Sequence, residues 1–177
     1  MPLRAGDWMQ TSSGKAYFPA DPRAEDIDIF DIAHALSNLC RYGGHCSTFY
    51  SVAEHSVLVS QVVPPELAMQ ALLHDATEAY LVDLPRPIKH MLPGYCDLED
   101  LNWAAVAAKF GLPYALDQAV KDADNAVLLA EKEQLLGPSP APWSVPGEPA
   151  DVTVLGLPPT AAAATFLRRF FELGGQA

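Results

Sequence analysis

The stretch "AMQALLHDATEAYLVDLPRPIKH", Ala68 to His90, opens like a buried helix and then sets His74, Asp75 and Glu78 along it, with Asp83 just beyond. On an α-helix His74 and Glu78 are four residues apart and Asp75 and Glu78 three apart, so all three address one patch of space. Buried carboxylates are expensive unless a partner, a shifted pKa or a metal ion accompanies them. The helix starts at Pro65, where a missing N–H costs nothing, and its apolar pattern predicts a continuous run to about Tyr80. The proline-bounded "DLPRPIKHMLPG" that follows reads as a connection holding a short helical turn.

Working outward, Ile29, Ile32, Ala33, Leu36 and Cys40 recur at helical spacing, and "RYGG" supplies a stop. In "SVAEHSVLVSQVV" Ser51 precedes Glu54 by three, a capping-box pattern that puts His55 in the first turns of a second helix. Downstream, "DLEDLNWAAVAAKFG" is a helix closed by Gly111. A longer one, expected from Pro113 to Leu136, carries Leu116, Val120, Ala123, Val127 and Leu128 on one face, with Asp124 inside that stripe. "GPSPAPWSVPGEPADVTVLGLPP" holds too many prolines for regular structure, and "AAAATFLRRFFEL" is a closing helix. The first 25 or so residues read as an irregular arm or short hairpin whose Trp8, Tyr17 and Phe18 pack onto the body. The class is all-α, and 177 residues fit a single domain spanning 1–177.

Composition narrows the function. The net charge of -11 disfavours a nucleic-acid polymer, whose binding needs clustered Lys and Arg. A small anionic substrate would need a bound cation or local basic residues. No apolar run reaches the roughly 18 residues of a membrane span, and no signal-peptide apolar region opens the chain, so no membrane partner and a cytoplasmic location are expected. Cys40, Cys46 and Cys96 form no CxxC pair and read as reduced thiols.

Asp124 in an apolar stripe and His55 near a helix start pose the same burial problem as "HDATE". A cation bound by His55, His74, Asp75 and Asp124 resolves all four together. Imidazole with carboxylate suits Mn, Fe, Co or Zn, and helix bundles build such sites from facing helices. Taken singly, each of these residues has a plain structural reading: a hydrogen-bonded histidine, or a solvated or capping carboxylate for Asp124, with Asp122 as its rival.

The combination "SVAEHS", "LLHDATEAYLVDLPRPIK" and "KDADN", over about residues 41–136, resembles the HD-domain phosphohydrolases, in the branch of bacterial 5'-deoxynucleotidases and phage dATP triphosphohydrolases. The resemblance implies an HD-type helical bundle, with an irregular N-terminal arm and a Pro-rich C-terminal segment outside it. It also implies a divalent metal (Co, Mn, Zn, Fe or Mg) on His55, His74, Asp75 and Asp124. Glu78 would handle the proton of the attacking water or leaving oxygen, and Asp83 would assist. Arg41, followed by Tyr42, matches an arginine placed near the substrate phosphate or sugar. His45, Arg86 and Lys89 are further substrate-binding candidates, His45 because two glycines precede it and the cations because they are scarce near the motifs.

The expected activity is hydrolysis of a deoxynucleotide phosphate ester, with deoxynucleoside 5'-monophosphate as leading substrate. The alternatives are a dATP triphosphohydrolase and an inactive nucleotide-binding sensor, against which intact Glu78 counts. Relatives in that family commonly form dimers or larger assemblies, so a homo-oligomer is expected.

Overall fold

The computed structural model describes residues 4–177; of the expected N-terminal arm, residues 1–3 lie outside the described residues. The rest of the arm forms a short antiparallel hairpin, β1 (Met9–Gln10) with β2 (Ala16–Tyr17), in which Met9 pairs with Tyr17 and Gln10 with Ala16. Packing onto the body is what anchors it: Tyr17 is wholly buried and stacks on Tyr80 at 3.8 Å between ring centroids, while its hydroxyl donates to Asn102. Trp8 by contrast is exposed.

All other regular structure is helical. α1 (Ile29–Asn38) begins at Asp28, whose carboxylate accepts from the Phe30 N–H. The chain then turns through a 3-10 segment, Arg41–Gly44, in which Tyr42 and Gly43 both take left-handed φ values of 57° and 58°. α2 (Val52–Val62) follows, then a 3-10 turn over Pro65–Leu67 leading into α3 (Ala68–Leu73), and the short α4 (Glu78–Leu81) and α5 (Arg86–Lys89). α6 (Tyr95–Phe110) ends at Gly111, whose left-handed φ of 65° lets its N–H reach the Ala107 carbonyl. α7 (Gln118–Leu135) and α8 (Pro159–Glu172) complete the order. The all-α class holds apart from the two-stranded hairpin, and among the described residues no helix is long and apolar enough to cross a membrane.

Two expected boundaries change. The third helix does not run to Tyr80. It stops at Leu73, and residues 74–77 wind through tighter i to i+3 bonds, such as Glu78 N–H to the Asp75 carbonyl at 3.0 Å. The longer helix starts at Gln118 rather than Pro113, because Asp117 caps it through the Ala119 N–H, and Gln70 holds the preceding loop by bonding the Ala115 carbonyl and the Asp117 N–H.

α2 is the axis of the fold. It is buried on nearly every side and packs against α1, α3, α7 and α8, consistent with its apolar residues spreading around the helix rather than along one stripe. Ala162, Phe166 and Phe170, four apart on α8, seal the α1–α2 face, and Arg169 reaches the Ser60 hydroxyl and carbonyl near the end of α2. One apolar cluster lies among α1, α2, α3, α6 and α8; another joins the far half of α2 to α7, with Leu116 and Leu173 touching both. The capping box forms only in half: Ser51 Oγ accepts from the Glu54 N–H. The Glu54 carboxylate instead accepts three backbone N–H groups, from Leu155, Gly156 and Leu157, and so tethers the chain leading into α8.

Candidate metal centre

His55 is set by the most buried helix. Its ring is wholly inaccessible, and Nδ1 lies 2.6 Å from Glu131 Oε1. His74 sits at the end of α3 with Nδ1 2.7 Å from the Ala71 carbonyl. Both acceptors fix the proton on Nδ1 and turn Nε2 away, and both Nε2 atoms are buried with no hydrogen-bond partner. What they face is carboxylate. Asp124 Oδ1 is 3.2 Å from His55 Nε2 and 4.0 Å from His74 Nε2; Asp75 Oδ2 is 3.6 and 3.3 Å from the same two atoms. His55, His74 and Asp124 each offer one ligand atom within 4.8 Å of the others; Asp75 is not one of these three and joins them through its approach to the two imidazoles. Lone pairs on nitrogen and oxygen converging on one point repel unless a cation or a proton lies between them. The four expected metal ligands are thus brought together, and the donor set fits a divalent first-row metal.

Glu131, which the sequence reading passed over, organises this centre. It is wholly buried on α7, seven residues and about two turns beyond Asp124 on the same face. Its carboxylate accepts from the Tyr42 hydroxyl (2.6 Å), the Tyr50 hydroxyl (2.7 Å) and Arg41 Nε (3.2 Å) besides His55. A carboxylate behind a ligating histidine orients the ring and raises its basicity. Burial would push Glu131 up, but the Arg41 guanidinium and His55 hold it down at about 2. Burial and Arg41 press the His55 imidazole down, yet Glu131 and Asp124 outweigh them and raise it to about 9. Asp124 is lowered despite its burial, chiefly by His55.

A cleft of about 600 Å³ opens beside the centre and is lined by Asp75, Asp124, Glu78, Asp83 and Arg41 among others. Glu78 is buried, with Oε2 unpartnered, and burial together with the charges of Asp75 and Asp83 raises it well above the usual carboxylate range. Asp83 is raised as well, by burial first. It follows Val82, a β-branched residue at φ 63°, ψ 159°, a region essentially reserved for glycine. The strained position thus lies directly beside a carboxylate that lines the cleft.

The expected substrate contacts divide. Arg41, Tyr42, Arg86 and Lys89 line the cleft; His45 is exposed and outside the lining, because the left-handed turn at Tyr42 and Gly43 carries it away. Arg41 is buried and committed to Glu131, leaving Nη1 3.7 Å from Asp75. Tyr42 spends its hydroxyl on Glu131 and offers only its ring. Lys89 pairs with Glu99 at 2.7 Å, and Arg86 bridges Asp124 and Asn125 from an exposed position. The lining also includes Leu128 and, from the Pro-rich segment, Trp143.

No family model matches the chain. Among curated proteins it is 44% identical over 169 residues to the "Uncharacterized protein YfdR" of Escherichia coli, covering 94% of this chain and 95% of that one. It belongs to the same family as YfdR. A further relative, the "Uncharacterized protein RCAP_rcc00048" of Rhodobacter capsulatus, is 37% identical over 186 residues, again 94% of this chain and 95% of the other. Both matches span nearly the whole length of each chain.

Proposed function

We propose that this protein is a divalent-metal-dependent phosphohydrolase of the HD-domain type that cleaves the phosphate ester of a deoxynucleoside 5'-monophosphate. The observation that carries the reading is the pair of buried, unpartnered imidazole Nε2 atoms aimed at Asp75 and Asp124. The "HDATE" and "KDADN" motifs support it through their resemblance to that superfamily. A divalent metal on His55, His74, Asp75 and Asp124 supplies charge neutralisation for a phosphoryl group and activation of water.

The chain's own residues do the rest. Glu131 holds His55 in one tautomer, and the Ala71 carbonyl does the same for His74. Glu78, whose carboxyl is pushed up by burial and by its acidic neighbours, lies within the cleft where it would handle the proton of the attacking water or leaving oxygen. Asp83, in the same cleft lining, adds its charge to that upward push and would assist. Arg41, clamped by Glu131, presents Nη1 to the cleft beside Asp75, where it would meet a phosphate oxygen. Lys89 adds a second cation at the cleft wall.

A monophosphate is favoured over a triphosphate because all three cleft cations are already paired, Arg41 with Glu131, Lys89 with Glu99 and Arg86 with Asp124. Little positive charge is left for a polyphosphate tail. The test is product analysis with deoxynucleoside mono- and triphosphates in the presence of Co, Mn, Zn, Fe or Mg. Orthophosphate release from monophosphates is expected. Triphosphate release from dATP would move the assignment to the triphosphohydrolase branch, and nucleotide binding without turnover would make the chain a sensor. Substituting His74 or Asp124 by Ala should remove metal and lower thermal stability together; stoichiometric metal in both variants would overturn the ligand set.

A further inference from the structure

Trp143 is the only aromatic residue that the Pro-rich segment brings to the cleft. Between Leu136 and Ala150 no backbone hydrogen bond ties this segment to the helices among the described residues. It is a strap pinned at its far end by the Ala150 N–H on the Ala126 carbonyl, and further on by Gln134 to Val152 and Val154. Trp143 sits midway along the strap. Its ring lies 6.5 Å from that of Tyr42, tilted by 52°, and 5.4 Å from the Lys132 ammonium. It remains 36% exposed, and its indole N–H has no hydrogen-bond acceptor among the described residues, unlike Trp103, whose N–H is bonded to the Tyr114 carbonyl.

α7 supplies the scale. Asp124, Leu128 and Lys132 follow one another at four-residue steps on α7, so Asp124 and the Lys132 that Trp143 covers are separated by about two turns, roughly 12 Å of helix rise, and Leu128 between them lines the same cleft as Asp124 and Trp143. The cleft therefore has a charged end, at Asp75, Asp124 and Glu78, and an apolar end covered by an aromatic face.

Resting on the phosphohydrolase reading, we infer that Trp143 is the residue that recognises the base of the nucleotide, by stacking, while the phosphate lies at the charged end. Stacking is tolerant of base identity, because every base offers a π face, so Trp143 selects for a nucleotide over a base-free phosphate ester rather than for one base. A residue that only anchored the strap would affect both kinds of ester alike.

The experiment compares the metal-loaded parent with Trp143→Ala and Trp143→Phe on a deoxynucleoside 5'-monophosphate and on 2-deoxyribose 5-phosphate. Loss of one stacking contact corresponds to roughly 5- to 150-fold. The ratio of kcat/KM for the nucleotide to that for the sugar phosphate should fall by that order in Trp143→Ala, mainly through KM, and be largely kept in Trp143→Phe. An unchanged ratio overturns the inference. If the parent hydrolyses neither ester, the phosphohydrolase reading fails, and the inference is decided by fluorescence: deoxynucleoside monophosphate should quench the parent's indole emission more than that of Trp143→Phe. Equal quenching overturns it.

Discussion

Glu131→Gln is the sharpest perturbation of the centre, because it changes one buried atom and the charge while keeping the shape. The native carboxylate receives two tyrosine hydroxyls, Arg41 and His55 Nδ1, all at 2.6 to 3.2 Å, with no exposure of its own. An amide can accept through one oxygen only and turns two N–H donors towards groups that are donors already. Arg41, itself buried, loses its nearer counter-charge and keeps only Asp75 at 3.7 Å. Breaking a buried ion pair by removing one partner costs about 3–5 kcal/mol. At about 2–4 °C per kcal/mol for a chain of this size, the melting temperature should fall by roughly 6–20 °C.

The measurement is thermal unfolding in a chelator, so that the number belongs to the network alone. Metal titration is then run separately, where loss of the carboxylate behind His55 should weaken affinity by about 10- to 100-fold. The double variant Arg41→Met with Glu131→Met separates the two effects. It removes both charges, so much of the stability should return, yet metal affinity should not. A Gln variant melting within about 2 °C of the parent, with unchanged metal affinity, would refute the role assigned to Glu131.

Three further expectations are open to direct measurement. Glu78→Gln should lower kcat by about 10² to 10⁴ while keeping metal and nucleotide binding, with Asp83→Asn losing less; a parental rate would remove Glu78 from the chemistry. Val82→Gly relieves a glycine-only conformation worth about 1–3 kcal/mol against an entropic cost of about 0.5–1 kcal/mol, so the melting temperature should rise by a few degrees, and a fall would show that φ 63° carries no strain. Burial pushes the Asp31 carboxyl up, but hydrogen bonds from Ser12 and Ser13 outweigh it and hold the carboxyl below its usual value. Its contribution is therefore present above the unfolded-state pKa of about 4 and is lost as pH falls through the folded value; the stability gap between parent and Asp31→Asn should shrink below about pH 4, and a constant gap would refute the linkage.

Helical spacing exposed much of this architecture. Period and caps located six of the helices, and ionisable residues intruding on apolar faces located His55, His74 and Asp124 before any coordinates. What stayed hidden depends on residues distant in sequence. Glu131 meets His55 across 76 positions, and Glu54 meets its three N–H donors across more than 100. A seven-residue step from Asp124 along the same helix was the one local signal for Glu131, while nothing local distinguishes Glu54 from a capping-box partner. Val82 carries no mark either, since its backbone is imposed by neighbours: its N–H is held by the Glu78 carbonyl and its own carbonyl accepts from the Tyr95 hydroxyl.

The break after Leu73 is the instructive case, because neither glycine nor proline announces it and yet it sets the relation among the three ionisable groups of "HDATE". In an uninterrupted α-helix, at about 100° per residue, Glu78 would fall between the two, about 40° from His74 and about 60° from Asp75. The tighter winding seen from residue 74 to 77 turns by about 120° per residue, which eclipses side chains three apart. Glu78 thereby moves off the His74 line and onto that of Asp75, whose charge, after burial, is the largest influence raising its carboxyl. His74 is left free to point Nε2 at the two aspartates, backed by the Ala71 carbonyl one turn earlier. A single local tightening thus separates His74, whose Nε2 faces the two aspartates, from Glu78, whose carboxyl falls under the charge of Asp75, although both come from the same five positions of the chain.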